Sequence, residues 1–172
     1  SKLTEADLLK QGYQLKWQDN FDGNFLNRAD WNVELHEKGW VNSEWQEYVD
    51  SDKNIQVKDG KLLIKPVETV NADGTRSYTS GRINTQGKHD FKYGYFECRA
   101  KVPTGKGYLP AFWMMPTDEN LYGQWPKCGE IDIMEAWGYD EAAVRDQRID
   151  TATTTVHTHT SDPSANKRYI WH

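Results

Sequence analysis

The stretch GEIDIMEAWG, residues 129–138, places three carboxylates within six positions. Glu130 and Asp132 are two apart, Glu135 lies three further on, and Ile131, Ile133 and Met134 stand between them. In a regular strand the side chains alternate, so Glu130 and Asp132 share a face. Glu135 then points to the opposite face. One extra residue, inserted as a β-bulge at Ile133 or Met134, turns it back. The two glutamates are then about four strand steps apart, roughly 13 Å between Cα atoms, a gap that inward-leaning side chains can largely close.

This spacing suits a definite chemistry. Cleavage of a glycosidic bond with retention uses two carboxyl groups about 5–5.5 Å apart, one as nucleophile and one as acid/base. Crowded acids raise one another's pKa, so one glutamate keeps its proton near neutrality and serves as general acid. Asp132, between the two, is placed to hydrogen-bond the nucleophile and share a proton with it. Two other readings stay open, an exposed strand of solvated acids and a calcium site. The Ile-Ile-Met interior calls for a core, which disfavours the first. A flat strand offers fewer converging oxygens than a loop, which disfavours the second.

Working outward, other segments also read as strands. KNIQVKDGKLLIKPVE alternates apolar and polar residues around Asp59-Gly60 and predicts a hairpin with a two-residue turn. YGYFECRAKVP alternates too, with Phe96, Cys98, Ala100 and Val102 on one face. YLPAFWMMP and EIDIME are short extended runs, and TATTTVHTHT is rich in β-branched residues. Helical signal is confined to Thr4 to Lys10, with Thr4 as cap. Many short strands with turn residues between them predict an all-β fold, an antiparallel β-sandwich or jelly roll. No repeat or linker breaks the chain, so residues 1–172 read as a single domain.

Composition limits the partners. The 172 residues include eight Trp and nine Tyr and carry a net charge of −5. No basic face is visible, which argues against nucleic acid. No apolar run has the length of a membrane span. The opening SKLTEADLLKQG lacks the apolar segment of a signal peptide. Two cysteines, Cys98 and Cys128, make neither a disulfide framework nor a metal site. Cys98, on the apolar face of its run, reads as a buried thiol, and a Cys98–Cys128 disulfide stays an alternative.

GEIDIMEAWG resembles the catalytic strand of glycoside hydrolase family 16, and further segments resemble that family in the same order. These are WQDNFDG (17–23), GWVNSEWQEYVD (39–50), SGRINTQGKHDFKYGYFECRAKVP (80–103) and LPAFWMMP (109–116). The Met before the last glutamate is similar to the laminarinase-like branch, whose members are endo-β-1,3-glucanases. Agarases and carrageenases share the bulged strand. The resemblance implies Glu130 as nucleophile, Asp132 as helper and Glu135 as acid/base. It implies Trp40 and Asn42 on the donor side of the cleft and Arg82 and Asn84 as polar sugar contacts. Trp113 would face the cleft, Trp125 would stack on a sugar near the cleavage point, and His157 would contact the sugar on the other side. Asn20 stands where the family often has an acid, which argues against the structural calcium of many members. The link AWGYDEAAVRDQRIDTATTTVHTH is longer than usual.

Aromatic rings pack against the C–H faces of pyranoses, so a Trp-lined groove with a few polar groups suits an extended polysaccharide. Alternatives accompany each residue. Trp17, Trp31 and Trp45 read as core, Arg82 is alternatively a structural ion-pair partner, and His157 is alternatively just an exposed residue. Few basic residues beyond Arg82, Lys88 and Lys106 stand near the subsites, which favours a neutral glucan over a sulfated galactan. The expected protein is a secreted, retaining endo-β-glucanase that needs no catalytic cofactor. Its rivals are a transglycosylase, a galactan hydrolase and a non-catalytic glucan-binding protein. A bell-shaped pH profile is expected, with its lower limb set by Glu130 and its upper limb by Glu135. Family members carry further strands after the His strand, whereas this chain ends at NKRYIWH. RYIWH reads as another exposed or pairing segment. The sandwich is therefore expected to be incomplete in this chain, with a second chain or fragment completing it.

Overall fold

Asp59 and Gly60 both have positive φ, 53° and 67°. That is the demand of a type I′ turn, which Asp-Gly meets at little cost. The turn joins β3 (Ile55–Lys58) to β4 (Lys61–Ile64) as the sequence predicts, with Lys58 opposite Lys61. This hairpin belongs to a computed structural model that describes residues 3–136, 152–159 and 169–171. The chain forms two compact units, residues 1–95 and 96–172.

In the first unit, helix α1 (Glu5–Lys10) begins at Thr4, whose hydroxyl accepts from the Asp7 amide at 3.1 Å. Asp7 returns the bond by accepting from the Thr4 amide at 2.9 Å, which completes a capping box. Strand β1 (Asn32–Val33) pairs antiparallel with β7 (Ile83–Asn84). Alternation along this ribbon divides its residues. Val33 and Ile83 pack on a core of Leu26, Ile55 and Val57, joined by Phe21, Trp31 and Leu62. Asn32 and Asn84 take the other face. Beside the hairpin, Asn54 is 1% exposed and satisfied. Its amide donates to the Lys65 carbonyl at 2.9 Å and to the Thr79 hydroxyl at 3.0 Å. A buried amide without such partners would cost about 1–3 kcal/mol.

The remaining strands of this unit are β2 (Gln46–Tyr48), β5 (Val67–Val70) and β6 (Arg76–Ser80), in the order β2-β6-β5. β5 and β6 form an antiparallel hairpin, but β2 runs parallel to β6. This departs from the purely antiparallel expectation. A parallel pair is set by the long connection between its strands, not by a local turn signal.

The second unit holds one four-stranded antiparallel sheet in the order β11-β10-β9-β8. Its strands are β8 (Ala111–Met114), β9 (Glu130–Ala136), β10 (Ala152–His157) and β11 (Tyr169–Trp171). The expected strands at 109–116, 130–135 and 151–160 are thus present, and Tyr169–Trp171 pairs with β10. The long link at 137–151 lies outside the described residues.

Three expectations fail. Residues 93–103 alternate as a strand would, yet form none. Alternation selects a face only once a neighbouring strand supplies the ladder. Cys98, read there as a buried thiol, is exposed, while Cys128 is buried and both are free. Trp45, read as core, is 69% exposed and rests tilted against Tyr78. Trp17 and Trp31 do pack together edge to face, and the Trp31 indole donates to Asp19 at 2.8 Å.

Candidate active site

The site is built on β9, and its register shows how. On the β10 side, Glu130 faces His157, Asp132 faces Thr155 and Glu135 faces Thr153. Residues 157, 155 and 153 alternate regularly and share one face, so the three acids share it as well. Two β9 residues, Ile133 and Met134, stand against the single residue Thr154. On the β8 side, Met134 faces Phe112 and Asp132 faces Trp113, which leaves Ile133 as the extra residue. The bulge sits at one of the two positions expected. Trp113, opposite Asp132, and Ala111, opposite Glu135, lie on the acid face too.

Gly129 leads into the strand with φ 86°, a left-handed conformation that a side chain would strain. Just before it, the Trp125 indole N–H donates to Glu130 Oε2 at 2.7 Å. The Trp125 ring remains about half exposed, free to stack on a ligand. Its other neighbour is His157, with ring centroids 5.5 Å apart.

His157 was expected to contact sugar. The structure places its Nε2 2.8 Å from Asp132 Oδ2 and 4.0 Å from Glu130 Oε1. Asp132 is 1% exposed and is hydrogen-bonded to both glutamates. A bond between two carboxyls requires a proton, so the trio holds protons in common. Burial, the Asp132 hydrogen bond and the Asp132 charge push Glu130 up to about 7, against the pull of Trp125 and His157. Burial also raises Asp132, helped by Glu135. Burial and the charge of Glu130 raise Glu135. Donor atoms of Glu130, Asp132 and His157 lie within 4.8 Å of one another, a grouping of the kind that can hold a cation. Here the hydrogen bonds to Asp132 and from Trp125 engage it.

The other expected site residues belong to the first unit. Arg82 Nε donates to Glu34 Oε2 at 3.0 Å, and its guanidinium lies 4.8 Å from the Trp40 ring centre. Trp40 stacks on His36 at 3.4 Å between centroids, and its exposure is 49%. Asn84 also hydrogen-bonds Glu34, and its Oδ1 accepts from Asn32 at 2.9 Å. Burial would raise Glu34, but His36, Arg82 and Asn84 together hold it below the usual carboxylate range. Arg82 is thus an ion-pair partner and a neighbour of an exposed ring at once. Asn42 sits at the tip of a tight turn with φ 52°. Sequence reasoning missed Glu34 and His36. Asn32, Glu34 and His36 recur at period two in NVELHE, a signal that alternation alone could have found.

A carboxylate trio on one face of a bulged strand, with an indole donor on one acid and a half-exposed ring beside it, is the kind of constellation that glycosidic-bond cleavage calls for. The chain belongs to the glycosyl hydrolases family 16, whose model matches residues 38–172. It is 44% identical over 148 residues to glucan endo-1,3-beta-glucosidase A1 of Niallia circulans, covering 78% of this chain and 22% of that protein. It is 46% identical over 129 residues to glucan endo-1,3-beta-glucosidase of Cryptopygus antarcticus, covering 72% and 46%. The laminarinase structure from Rhodothermus marinus superposes with a TM-score of 0.76 at 36% identity, over 91% of this chain and 60% of that one. The chain therefore spans less than half the length of these two curated relatives. The mostly stranded fold agrees with the laminarinase structures.

The shifted acids have a stability consequence. Glu130 holds its proton to about 7 in the fold against 4.5 in the unfolded chain. Between those values the native state binds more protons, so stability falls as pH rises through the window. Glu130→Gln removes that cost. Its thermal midpoint should exceed the wild type's at pH 8, and the gain should fade below about pH 5, where both states are protonated. Melts at the two pH values check this, and an equal gain at both would contradict it.

Proposed function

We propose that this chain is the catalytic part of a secreted, retaining endo-β-1,3-glucanase acting on a neutral, laminarin-like glucan. The observation that carries the reading is the single face shared by Glu130, Asp132 and Glu135, with Asp132 bonded to both glutamates. Similarity to proteins named as endo-1,3-β-glucosidases and laminarinases supports the glucan and the linkage. A polymer too large to cross a membrane supports secretion.

In this reading the protons move toward Glu135. Glu130 passes its proton to Asp132, and Asp132 passes its own to Glu135. Glu130 is left as a carboxylate steadied by the Trp125 N–H. It attacks the anomeric carbon while Glu135 protonates the departing oxygen, and a glycosyl-enzyme forms. Glu135, now a base, takes a proton from water, which releases the sugar and restores Glu130. His157 orients Asp132 throughout. Both steps run on carboxyl groups and call on no cofactor. Trp113 and Trp125 offer rings to the sugar faces. Trp40, Arg82 and Asn84 are assigned to sugar binding on the donor side.

Reducing-end release from laminarin, mixed-linkage glucan and a sulfated galactan, measured side by side, tests the reading. Laminarin should be preferred, and Glu130→Gln and Glu135→Gln should each lower the rate by at least about 10²-fold. Full activity in either variant, or preference for the galactan, would overturn it.

We also propose that further polypeptide completes the sandwich. Among the described residues the buried apolar side chains are Leu26, Ile55, Val57 and Cys128, while Phe25, Tyr93 and Tyr122 are 85%, 82% and 71% exposed. Apolar surface of that kind invites association. Size-exclusion chromatography with mass analysis of residues 1–172 should show self-association or dependence on an added fragment. A stable, active 20 kDa monomer would refute this.

A further inference from the structure

We propose that Thr154 is a positioning residue for the reaction, because its hydroxyl holds the bulge that keeps Glu135 on the face of Glu130 and Asp132. The inference rests on the reading of Glu135 as the acid.

The register on both sides of β9 isolates Ile133. Asp132 and Met134 have partners on β8, and Ile133 between them has none. A residue pushed out of a ladder leaves its peptide groups in search of other partners. The Ile133 carbonyl finds one, since the Thr154 hydroxyl donates to it at 3.0 Å. Thr154 is also the β10 residue that stands alone against the two-residue insertion. The bond therefore spans the bulge itself.

Thr154 does this from the far side of the sheet. Thr153 and Thr155 are buried on the acid face, while Thr154 between them is exposed on the other face. It is thus directed away from the reacting groups. Its influence on them runs through the backbone. If the carbonyl is released, the extra residue can migrate from Ile133 to Met134 or be drawn into regular pairing. Regular pairing would move Glu135 to the opposite face, since a strand's side chains alternate. Smaller shifts would still displace its carboxyl from the departing oxygen. Glu130 and Asp132 lie before the bulge and keep their register with His157 and Thr155.

Position 154 should therefore affect acid catalysis more than sugar binding. Thr154→Val keeps the shape and removes the donor, and Thr154→Ser keeps the donor. The values compared are kcat/KM, which reports the first half-reaction alone, on laminarin and on the 2,4-dinitrophenyl β-glycoside of laminaribiose, whose leaving group departs without a proton. Thr154→Val should lower kcat/KM on laminarin by about tenfold or more, through kcat with KM little changed, because misplacement of a catalytic group by about 1 Å can cost 10²-fold. It should slow the dinitrophenyl substrate far less, and Thr154→Ser should stay within about twofold of wild type on both. If Thr154→Val does not fold, Thr154→Ala carries the comparison. Equal losses on both substrates, or equal losses with Ser and Val, would reduce the hydroxyl to a structural role and overturn the proposal. So would an unchanged Thr154→Val. A wild type that cleaves neither substrate would instead overturn the glucanase reading.

Discussion

A strand's two-residue repeat would send Glu135 to the far side of β9, and a single unpaired residue, Ile133, prevents it. Much of the second unit can be read as support for that insertion. β8 and β10 each pair with β9 on both sides of it, so the ladder is fixed above and below and the irregularity is confined. Glu130 is held opposite His157 and Glu135 opposite Thr153, four β10 residues apart. That is the span over which two glutamate side chains can lean together.

The cost of this arrangement is electrostatic. Three acids are drawn into one partly buried place, and all three are held above their ordinary values, chiefly by burial. Two neighbours offset part of the cost. The Trp125 N–H and the nearby His157 both favour the charged form of Glu130. The first unit manages its buried acid differently. Glu34 collects donors from His36, Arg82 and Asn84 and is held ionised. One set of acids is thus arranged to exchange protons, and the other to fix the orientation of an arginine beside an exposed Trp40.

What the sequence disclosed was set by the range of the interactions. Asp59-Gly60 and Thr4 to Asp7 are local, and each turn and cap was legible from neighbouring residues. The carboxylate strand and its bulge were legible because a shared face for three acids required an insertion. The parallel pairing of β2 with β6 was not, since it joins residues about thirty apart across the β3–β4 hairpin, and no single turn between them sets it. Cys98 and Trp45 were misread because alternation names a face without naming what covers it. His157 was recognised as a site residue, but its partner Asp132 lies 25 residues away and depended on cross-strand register.

The account stands on Glu130 and Glu135 working from one face at a separation short enough for a covalent intermediate. The configuration of the first product reports that separation directly, because a wider pair would admit a water and invert the centre. Proton NMR of laminarin digestion, followed from the first minute before mutarotation, reads it. The account predicts that the new reducing ends appear first as the β-anomer. First appearance of the α-anomer would contradict it.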